Sequence, residues 1–323
     1  MTIMKRTSSE KFIQSDKCIY AIGGGKGGTG KSFIAASIGT TLAQQGKEVL
    51  LVDLDLGASN LHTFLGLKEP QISLKQYLNK EVNDINVVVS RTTQPNLSII
   101  SSSGCSLEIA NLYYAQKVKL IRAINKLSYD FIFIDLGSGT HFNTLDFFQV
   151  SNQAILVTTP EPVSIENMFR FIKSLYLRKV KTVLKDYSLN IICQEYLQNI
   201  KDSQIISFLD IMNFVRKYDI ENDTEIENRI KDQNIGLILN KFRWQVEKEF
   251  IKKIANTCNK FLYFNYYPLG NISFDHKIDD ATMKHKVFVN EYRHTKSTKE
   301  IFSIAAKLIG GVPGQAPSLC LVS

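Results

Sequence analysis

The chain has 323 residues, of which 44% are hydrophobic and 22% charged, so it can bury a sizeable core and is too apolar for a disordered protein. The net charge of +8 permits contact with an anionic membrane or nucleic acid without requiring it. No apolar run approaches the ~18–20 residues that cross a bilayer, and the five cysteines lack metal-type spacing. We therefore expect a cytoplasmic protein with reduced thiols and no secretion signal in its polar leader.

Short strand-like runs alternate with longer amphipathic segments along the chain. The runs that predict strands are Cys18–Ile22, Glu48–Val52, Leu97–Ile100, Phe131–Ile134, Ala154–Thr158, Ile235–Leu239 and Leu262–Tyr267. The segments that predict helices are Phe33–Gln45, Tyr114–Leu127, Ser164–Lys185, Gln245–Lys260 and Lys296–Ile309. Because several strands are apolar on both faces, the pattern predicts an α/β fold with a doubly wound, mostly parallel sheet flanked by helices. Ligands of such sheets bind at the carboxyl ends of the strands.

The same pattern predicts one domain over residues 17–310, preceded by a polar leader over residues 1–16. Residues 186–233 interrupt the alternation, and their helical spacing indicates a mainly helical insertion. Residues 311–323 are predicted to form an irregular tail, because prolines and glycines are frequent there.

A glycine-rich segment joins the first predicted strand to the first predicted helix. Its residues from Gly25 to Ser32 fit the phosphate-binding P-loop pattern Gly-x-x-x-x-Gly-Lys-Ser. The backbone N–H groups of such a loop and the following helix N-terminus surround a polyphosphate. Lys31 would reach the β- and γ-phosphates, and the Ser32 hydroxyl would ligate Mg²⁺.

The segment also contains the dinucleotide fingerprint Gly-x-Gly-x-x-Gly, at Gly23, Gly25 and Gly28. Three spaced glycines are by themselves a weak signal. Because Lys31 and Ser32 have no purpose in a dinucleotide site, the full pattern favours a nucleoside triphosphate.

Two acidic motifs follow apolar runs. In the first, Asp53 and Asp55 lie on the same side of an extended chain, since their spacing is two residues. In the second, Asp135 follows four apolar residues and precedes a glycine-rich bend, which fits a Walker-B-type aspartate facing Mg²⁺. A single aspartate after a strand is also typical of a turn or cap. The presence of the P-loop together with both motifs favours a functional role for these aspartates over a turn or cap.

These motifs resemble those of the MinD/ParA ATPases. The extra lysine at Lys26 makes the glycine-rich segment similar to the deviant Walker A motif of that family. The family's first switch resembles residues 53–61, and its second switch resembles residues 135–139. The segment after the next strand in the family resembles residues 158–162. Within the family, residues 60–66 are most similar to the FlhG (FleN) flagellar-number regulators and their MinD-like relatives.

The resemblance implies ATP and Mg²⁺ as cofactors and a homodimer in the ATP state. In this family two subunits sandwich two ATP molecules, and the residue matched by Lys26 reaches the partner's phosphates. The resemblance also implies that Asp55 orients the attacking water, that Asp135 holds Mg²⁺ through water, and that Asn240 reads the adenine edge. A turn or cap residue is the alternative for Asn240. The implied nucleotide-binding set is Gly25, Lys26, Gly27, Gly28, Thr29, Gly30, Lys31, Ser32 and Asn240.

The implied activity is weak, partner-stimulated ATP hydrolysis that drives a spatial switch. The switch would regulate flagellar number and placement or the division site, and the alternative is a ParA-type partition ATPase that binds DNA nonspecifically. Iron–sulfur carriers of this fold need paired cysteines, and no Cys-x-x-Cys is present, so no cluster is expected. A metabolic ligase or reductase would need a second polar pocket, for which no candidate residues are found. The process served stays open.

Two segments bear on the surface that the protein binds. The apolar stripe within residues 301–309 could lie on a membrane or pack as the last core helix, and the prolines after it favour the core. The basic stretch of residues 170–185 could contact DNA or lipid phosphates, although a solvated face of a core helix is the usual case. FlhG proteins carry an N-terminal motif that activates a partner GTPase, and residues 1–16 do not match it.

Overall fold

The structure is a computed structural model that describes residues 18–56, 58–105, 112–151, 153–187, 189, 208–218, 221–243, 246, 249–262 and 264–311. The strands are β1 (Cys18–Gly23), β2 (Val49–Leu54), β3 (Ser90–Arg91), β4 (Leu97–Ile100), β5 (Phe131–Leu136), β6 (Gln153–Thr158), β7 (Asn234–Phe242) and β8 (Asn265–Ser273). The helices before β7 are α1 (Lys31–Gln44), α2 (Leu61–Phe64), α3 (Leu74–Leu78), α4 (Tyr114–Lys126), α5 (Phe142–Val150), α6 (Pro162–Asp186), α7 (Phe208–Tyr218) and α8 (Asp223–Lys231). Those after it are α9 (Phe250–Phe261), α10 (His276–Met283), α11 (Phe288–Glu291) and α12 (Lys296–Ile309).

The strands form one sheet in the order β3-β4-β2-β5-β1-β6-β7-β8. Every neighbouring pair of described strands is parallel except β3 and β4. The predicted doubly wound, mostly parallel fold is therefore confirmed. Because β1 lies in the middle of the sheet, the loop after it is flanked on both sides by the carboxyl ends of other strands.

Both faces of the sheet are covered by helices, which explains why the strands are apolar on both sides. In β1, Ile19 and Ala21 join the apolar layer that contains side chains of α4, α5 and α6. The alternate residues, Tyr20 and Ile22, join the layer that contains side chains of α1 and α12. Such two-sided burial holds the central strand ends in fixed positions, and the candidate site is built on those ends.

The structure differs from the predicted elements near the end of the chain. The predicted strand Leu262–Tyr267 is instead β8, which begins three residues later, because the Leu262 N–H donates to the Cys258 carbonyl and closes α9. Helices α10 and α11 were not predicted. Helix α9 begins at Phe250, and Gln245, where the predicted helix starts, lies outside the described residues.

Two helices, α7 and α8, lie between α6 and β7, where the sequence predicts a mainly helical insertion. Most of residues 188–207, the polar leader and all but the first residue of the predicted tail lie outside the described part of the chain. The domain boundaries at these places stay predictions.

Helix α12 packs on the sheet. Its residues Ile301, Ile304 and Leu308 are buried against the layer that contains α1, whereas Phe302 and Ile309 are 37% and 40% exposed. The stripe seen in the sequence is therefore divided between the core and the surface, as for a last core helix. No helix in the described ranges is both long and apolar enough to span a bilayer.

Candidate functional site

The glycine-rich loop between β1 and α1 has a backbone that only glycine fits at several positions. Gly28 and Gly30 have φ angles of +75° and +94°, in the left-handed region that side chains disfavour. A Cβ atom on Gly25 would overlap the backbone of α6 at Asn167, and one on Gly30 would overlap the Asn240 side chain. The loop is therefore packed between α6 and β7, and these contacts hold its conformation.

Residues at the end of β7 hold the loop from the other side. The Asn240 side-chain amide donates to the Thr29 carbonyl at 2.8 Å, and the Lys241 ammonium donates to the Gly28 carbonyl at 3.0 Å. Asn240 is only 3% exposed, and its Oδ1 atom is buried with no hydrogen-bond partner among the described residues. The structure thus places Asn240 beside the loop with one donor used and one acceptor unused.

Lys31 begins α1 and is almost buried, with 8% of its surface exposed. Burial lowers the pKa of its ammonium group, while the negative charges of Asp135 and Asp55 oppose that change. Both carboxylates predicted for the site therefore lie close enough to act on the P-loop lysine.

Asp135 lies near the end of β5, in register with Ile22 of β1 and Asp53 of β2. Its carboxyl group is hydrogen-bonded to the Ser32 side chain, but its Oδ1 atom is buried without a partner in the described chain. Burial, and then the charge of Asp53, raise the pKa of Asp135 to about 8, against the lowering effects of Ser32 and Lys31. An unpartnered buried carboxylate oxygen is costly in a folded protein, and this one lies beside the phosphate-binding pattern.

Asp53 and Asp55 occupy different environments, although only one residue lies between them. Asp53 is fully buried, and burial raises its pKa in spite of the donors that surround it. Asp55 is half-buried, and its carboxylate lies against the glycine bend after β5, where a Cβ atom on Gly137 would come within 3.1 Å of Oδ1. The two predicted switch segments therefore meet at Asp55 and Gly137.

Lys26 is exposed at the tip of the loop. Partial burial raises the pKa of Glu161. Hydrogen bonds from Thr159 and from the Glu161 backbone, together with the positive charges of Lys241 and Lys26, outweigh this effect, so the net result is a lowered pKa. Glu161 precedes α6, and its position directly after β6 is the sequence signal that could have identified it as a site residue.

A further cavity lies at the carboxyl ends of β7 and β8, with a volume of about 360 Å³. The Arg243 guanidinium lies 4.0 Å from the centre of the Phe274 ring on its wall. Its lining residues are Phe242, Arg243, Ser273, Phe274, Asp275, Lys296 and Ser297. Sequence reasoning missed this cavity, since no single motif contains its walls.

The predicted basic stretch on α6 is partly engaged within the protein. Arg178 donates to Asp146 of α5 at 2.8 Å and 3.1 Å, and Lys117 of α4 donates to the same carboxylate at 2.7 Å. Arg170 pairs with Glu166 one turn away on α6. Fewer cations are therefore available to phosphates than the sequence indicates.

The arrangement at the carboxyl edge can bind a polyphosphate and a hard cation. A glycine cradle, a nearly buried lysine, a serine hydroxyl and two carboxylates converge there from β1, α1, β2 and β5. Oxygen ligands of this kind suit Mg²⁺, and the loop followed by a helix N-terminus suits phosphate groups.

Comparison with known proteins agrees with this class of site. The CobQ/CobB/MinD/ParA nucleotide binding domain matches residues 20–289. The chain therefore belongs to this family, and its fold and motifs are those of the MinD/ParA ATPases.

Relatives include the septum site-determining protein MinD of Buchnera aphidicola, 25% identical over 205 residues that cover 61% of this chain and 74% of MinD. The antiactivator FleN of Pseudomonas aeruginosa is 28% identical over 176 residues, which cover 53% of this chain and 60% of FleN.

Solved structures share the fold. MinD of Pyrococcus horikoshii, complexed with Mg-ADP, superposes with a TM-score of 0.61 at 21% sequence identity. The superposition covers 90% of this chain and 96% of the MinD chain. A ParA family ATPase from Chlorobium tepidum superposes with a TM-score of 0.60 at 18% sequence identity, over 91% of this chain and 100% of the ParA chain.

Proposed function

We propose that the protein binds ATP with Mg²⁺, joins a second copy of itself while ATP is bound, and separates after hydrolysis. The observation that carries this proposal is the convergence of Lys31, Ser32 and the unpartnered Oδ1 atom of Asp135 beside a preformed glycine cradle. Lys31 and Ser32 come from the start of α1 and Asp135 from β5, and each supplies a group that a nucleoside triphosphate with its metal requires.

Ser32 and Asp135 fit the metal. A hydroxyl and a carboxylate with a free oxygen are hard ligands, and Mg²⁺ usually keeps several of its waters while using one or two such groups. When bound, Mg²⁺ would neutralise part of the phosphate charge. The neighbouring cation would also lower the pKa of Asp135 and thereby remove the cost of burying its ionised form. The P. horikoshii MinD structure, which contains Mg-ADP, supports this assignment.

The phosphates would be held by the loop and by Lys31. Asp55 would orient the water that attacks the terminal phosphate, because its carboxylate lies between the lysine and the second switch at Gly137. A half-buried carboxylate is reached by solvent and is able to accept a hydrogen bond from water.

Asn240 would distinguish adenine from guanine. Its buried Oδ1 atom is an acceptor without a partner among the described residues, and the 6-amino group of adenine is a donor. Guanine presents an acceptor at that position. We expect ATP to bind more tightly than GTP, by about tenfold or more, and Asn240→Ala, which removes the acceptor, to weaken this preference.

Lys26 would act across the dimer interface. It is exposed at the tip of the loop, and the nearby acid Glu161 keeps negative charge beside it in a single chain. In a dimer the lysine would contact the phosphates that the partner holds. A cation supplied across an interface stabilises charge that develops on the transferred phosphoryl group, with effects of ~10³–10⁵ in rate in known cases.

Three variants test the proposal by nucleotide titration, sedimentation and phosphate release. Lys31→Ala should abolish ATP binding.

Lys26→Ala should keep ATP binding but lose the ATP-dependent dimer, whereas the exposed control Lys68→Ala should behave as wild type. Asp55→Ala should bind ATP, remain dimeric and hydrolyse slowly. A Lys26→Ala protein that dimerises and hydrolyses normally would contradict the role proposed for this lysine.

As a cellular role we propose regulation of flagellar number and placement or of the division site, stimulated by a partner protein. The similarity to MinD and to FleN supports this role. A complex of MinC with MinD is known from Aquifex aeolicus, and we propose a comparable protein partner here. Localisation and cell morphology after depletion test the role, read for flagellar number, division position and nucleoid segregation together.

The alternative is ParA-type partition through nonspecific DNA binding, which the ParA-like structural neighbours favour. It requires DNA binding that depends on ATP and decreases with salt. For a membrane surface, the matched test is liposome flotation of the full chain against a chain that ends at Ile309. Removal of α12 itself would uncover the core, so a chain that ends before it is not a clean control.

A further inference from the structure

The side chain of Asp53 gathers four hydrogen-bond donors around one buried carboxylate. Its relative exposure is 0%. Oδ1 accepts from the Asp55 N–H at 3.0 Å and from the Ser102 hydroxyl at 3.3 Å. Oδ2 accepts from the Ser59 hydroxyl at 2.7 Å and from the Leu61 N–H at 3.2 Å. Three of the four donors belong to the segment directly after β2, which carries Asp55.

The fourth donor connects this segment to the end of β4. Ser102 also lies 3.3 Å from the Asp55 carbonyl, so both backbone polar groups of Asp55 face this cluster. The neighbouring hydroxyls continue the network, with Ser59 and Ser101 3.4 Å apart and Ser101 and Ser103 2.9 Å apart. The three serines directly after β4 are almost completely buried and have no part in the site described above.

We propose that Asp53 is a positioning residue for hydrolysis, which holds the Asp55 carboxylate in place through the Asp55 backbone and the serine cluster. The inference rests on the proposed role of Asp55. Contacts within the chain therefore hold the Asp55 backbone, and its carboxylate lies against the glycine bend after β5. Misplacement of a water-orienting group by about 1 Å typically costs on the order of 10²-fold in rate.

The P-loop is held by separate contacts. Asn240 and Lys241 bond to its carbonyls, and α6 packs against Gly25. Loss of the Asp53 cluster should therefore affect turnover much more than nucleotide binding. This division between rate and affinity distinguishes positioning from general support of the fold.

The substitution Asp53→Asn gives the sharpest test. An asparagine side chain has one acceptor oxygen, so it cannot accept from two donors at each of two positions. In the full chain we expect single-turnover ATP hydrolysis to fall about 10–100-fold, while the Kd for ATP changes less than about threefold. Hydrogen exchange should increase in residues 54–61 and stay unchanged in residues 24–31.

Two further variants keep the inference falsifiable if Asp53→Asn folds poorly. Ser102→Ala and Ser59→Ala each remove one donor and should each slow hydrolysis by about two- to fivefold. In an Asp55→Ala background they should have no additional effect on rate, because the group that they position is gone. A purely structural role would slow or weaken both backgrounds equally.

The outcomes separate this inference from the proposed function. Asp55→Ala with wild-type turnover would overturn the proposed function itself. Asp55→Ala with slow turnover but Asp53→Asn and both serine variants with normal turnover would overturn the positioning role alone. Parallel losses of ATP affinity and rate in these variants would also overturn it.

Discussion

Asp53 and Asp135 lie side by side on neighbouring strands and differ in how their oxygens are satisfied. Each is nearly inaccessible to solvent, and burial raises the pKa of each carboxyl group. Asp53 accepts four hydrogen bonds from protein donors. Asp135 is bonded to Ser32 but has one buried oxygen without a partner in the described chain.

The difference separates a carboxylate whose oxygens all have partners within the described chain from one that has an unused acceptor there. A buried charge costs free energy unless hydrogen bonds or an opposite charge compensate it. Protein groups supply the compensation at Asp53, whereas the described residues supply only part of it at Asp135. The four predictions below test this comparison in order of expected effect.

The largest effect is expected on metal-dependent binding. Asp135→Asn should weaken ATP binding in the presence of Mg²⁺ by about 100-fold, close to 2.7 kcal/mol, because the amide removes a charged oxygen from the proposed metal site. Titration of ATP with Mg²⁺ and with a chelator measures this loss. If both conditions give the wild-type affinity, Asp135 is not part of the metal site.

Removal of the satisfied carboxylate should destabilise the fold. Asp53→Ala leaves four donors without an acceptor, so we expect the free energy of unfolding to fall by about 2 kcal/mol. Chemical denaturation without nucleotide measures it. A change below about 0.5 kcal/mol would show that the Asp53 hydrogen bonds contribute little.

Removal of the Asp135 carboxylate should have the opposite effect on the free energy of unfolding. The pKa of Asp135 is raised to about 8 from an ordinary value near 3.8, so the unfolded chain loses this proton at lower pH than the folded chain. The contribution of Asp135 to stability is therefore present at acidic pH and is lost as pH rises through about 8.

Asp135→Asn should consequently raise the free energy of unfolding at pH 8 by about 1–2 kcal/mol and reduce its decline between pH 5 and pH 8. Denaturation of both proteins at several pH values, without Mg²⁺, provides the measurement. Part of the decline should persist, because burial also raises the pKa of Asp53. A variant less stable than wild type at pH 8 would contradict the comparison.

The smallest effect concerns single hydroxyls. Ser59→Ala removes a 2.7 Å bond to Asp53 and should cost about 1 kcal/mol, whereas Ser102→Ala removes a 3.3 Å bond and should cost about 0.5 kcal/mol. Denaturation of the two variants under identical conditions decides the order. Equal costs would mean that bond length does not report the strength of these contacts.

Local patterns predicted much of the fold. The confirmed class of sheet followed from short runs that are apolar on both faces, since only strands buried on both sides need that composition. The glycine spacing before Lys31 and Ser32, together with Asp55 and Asp135, placed one hypothetical site at the carboxyl edge, and the family match agrees with its class. The roles of these residues stay predictions.

The start of β8 and the basic stretch of α6 could not be predicted in the same way. Leu262 is apolar and fits a strand pattern, but a backbone bond to Cys258 makes it the end of a helix. Arg178 has the sequence signature of a solvated cation, yet a carboxylate from α5 binds it. A backbone hydrogen bond decides the first case, and a side chain on another helix decides the second. Local composition does not encode either contact.

By itself the sequence determined the order of the elements, the glycine cradle and the set of candidate residues, because these depend on neighbours within a few positions. Only the tertiary structure decided that the Asn240 side chain donates to the Thr29 carbonyl, 211 residues away in the sequence. It also decided that both oxygens of Asp53 accept hydrogen bonds, whereas Oδ1 of Asp135 has no partner among the described residues. Burial and hydrogen bonding are non-local properties, since their partners arrive from distant parts of the chain. For that reason two aspartates with similar sequence surroundings have different environments in the folded protein.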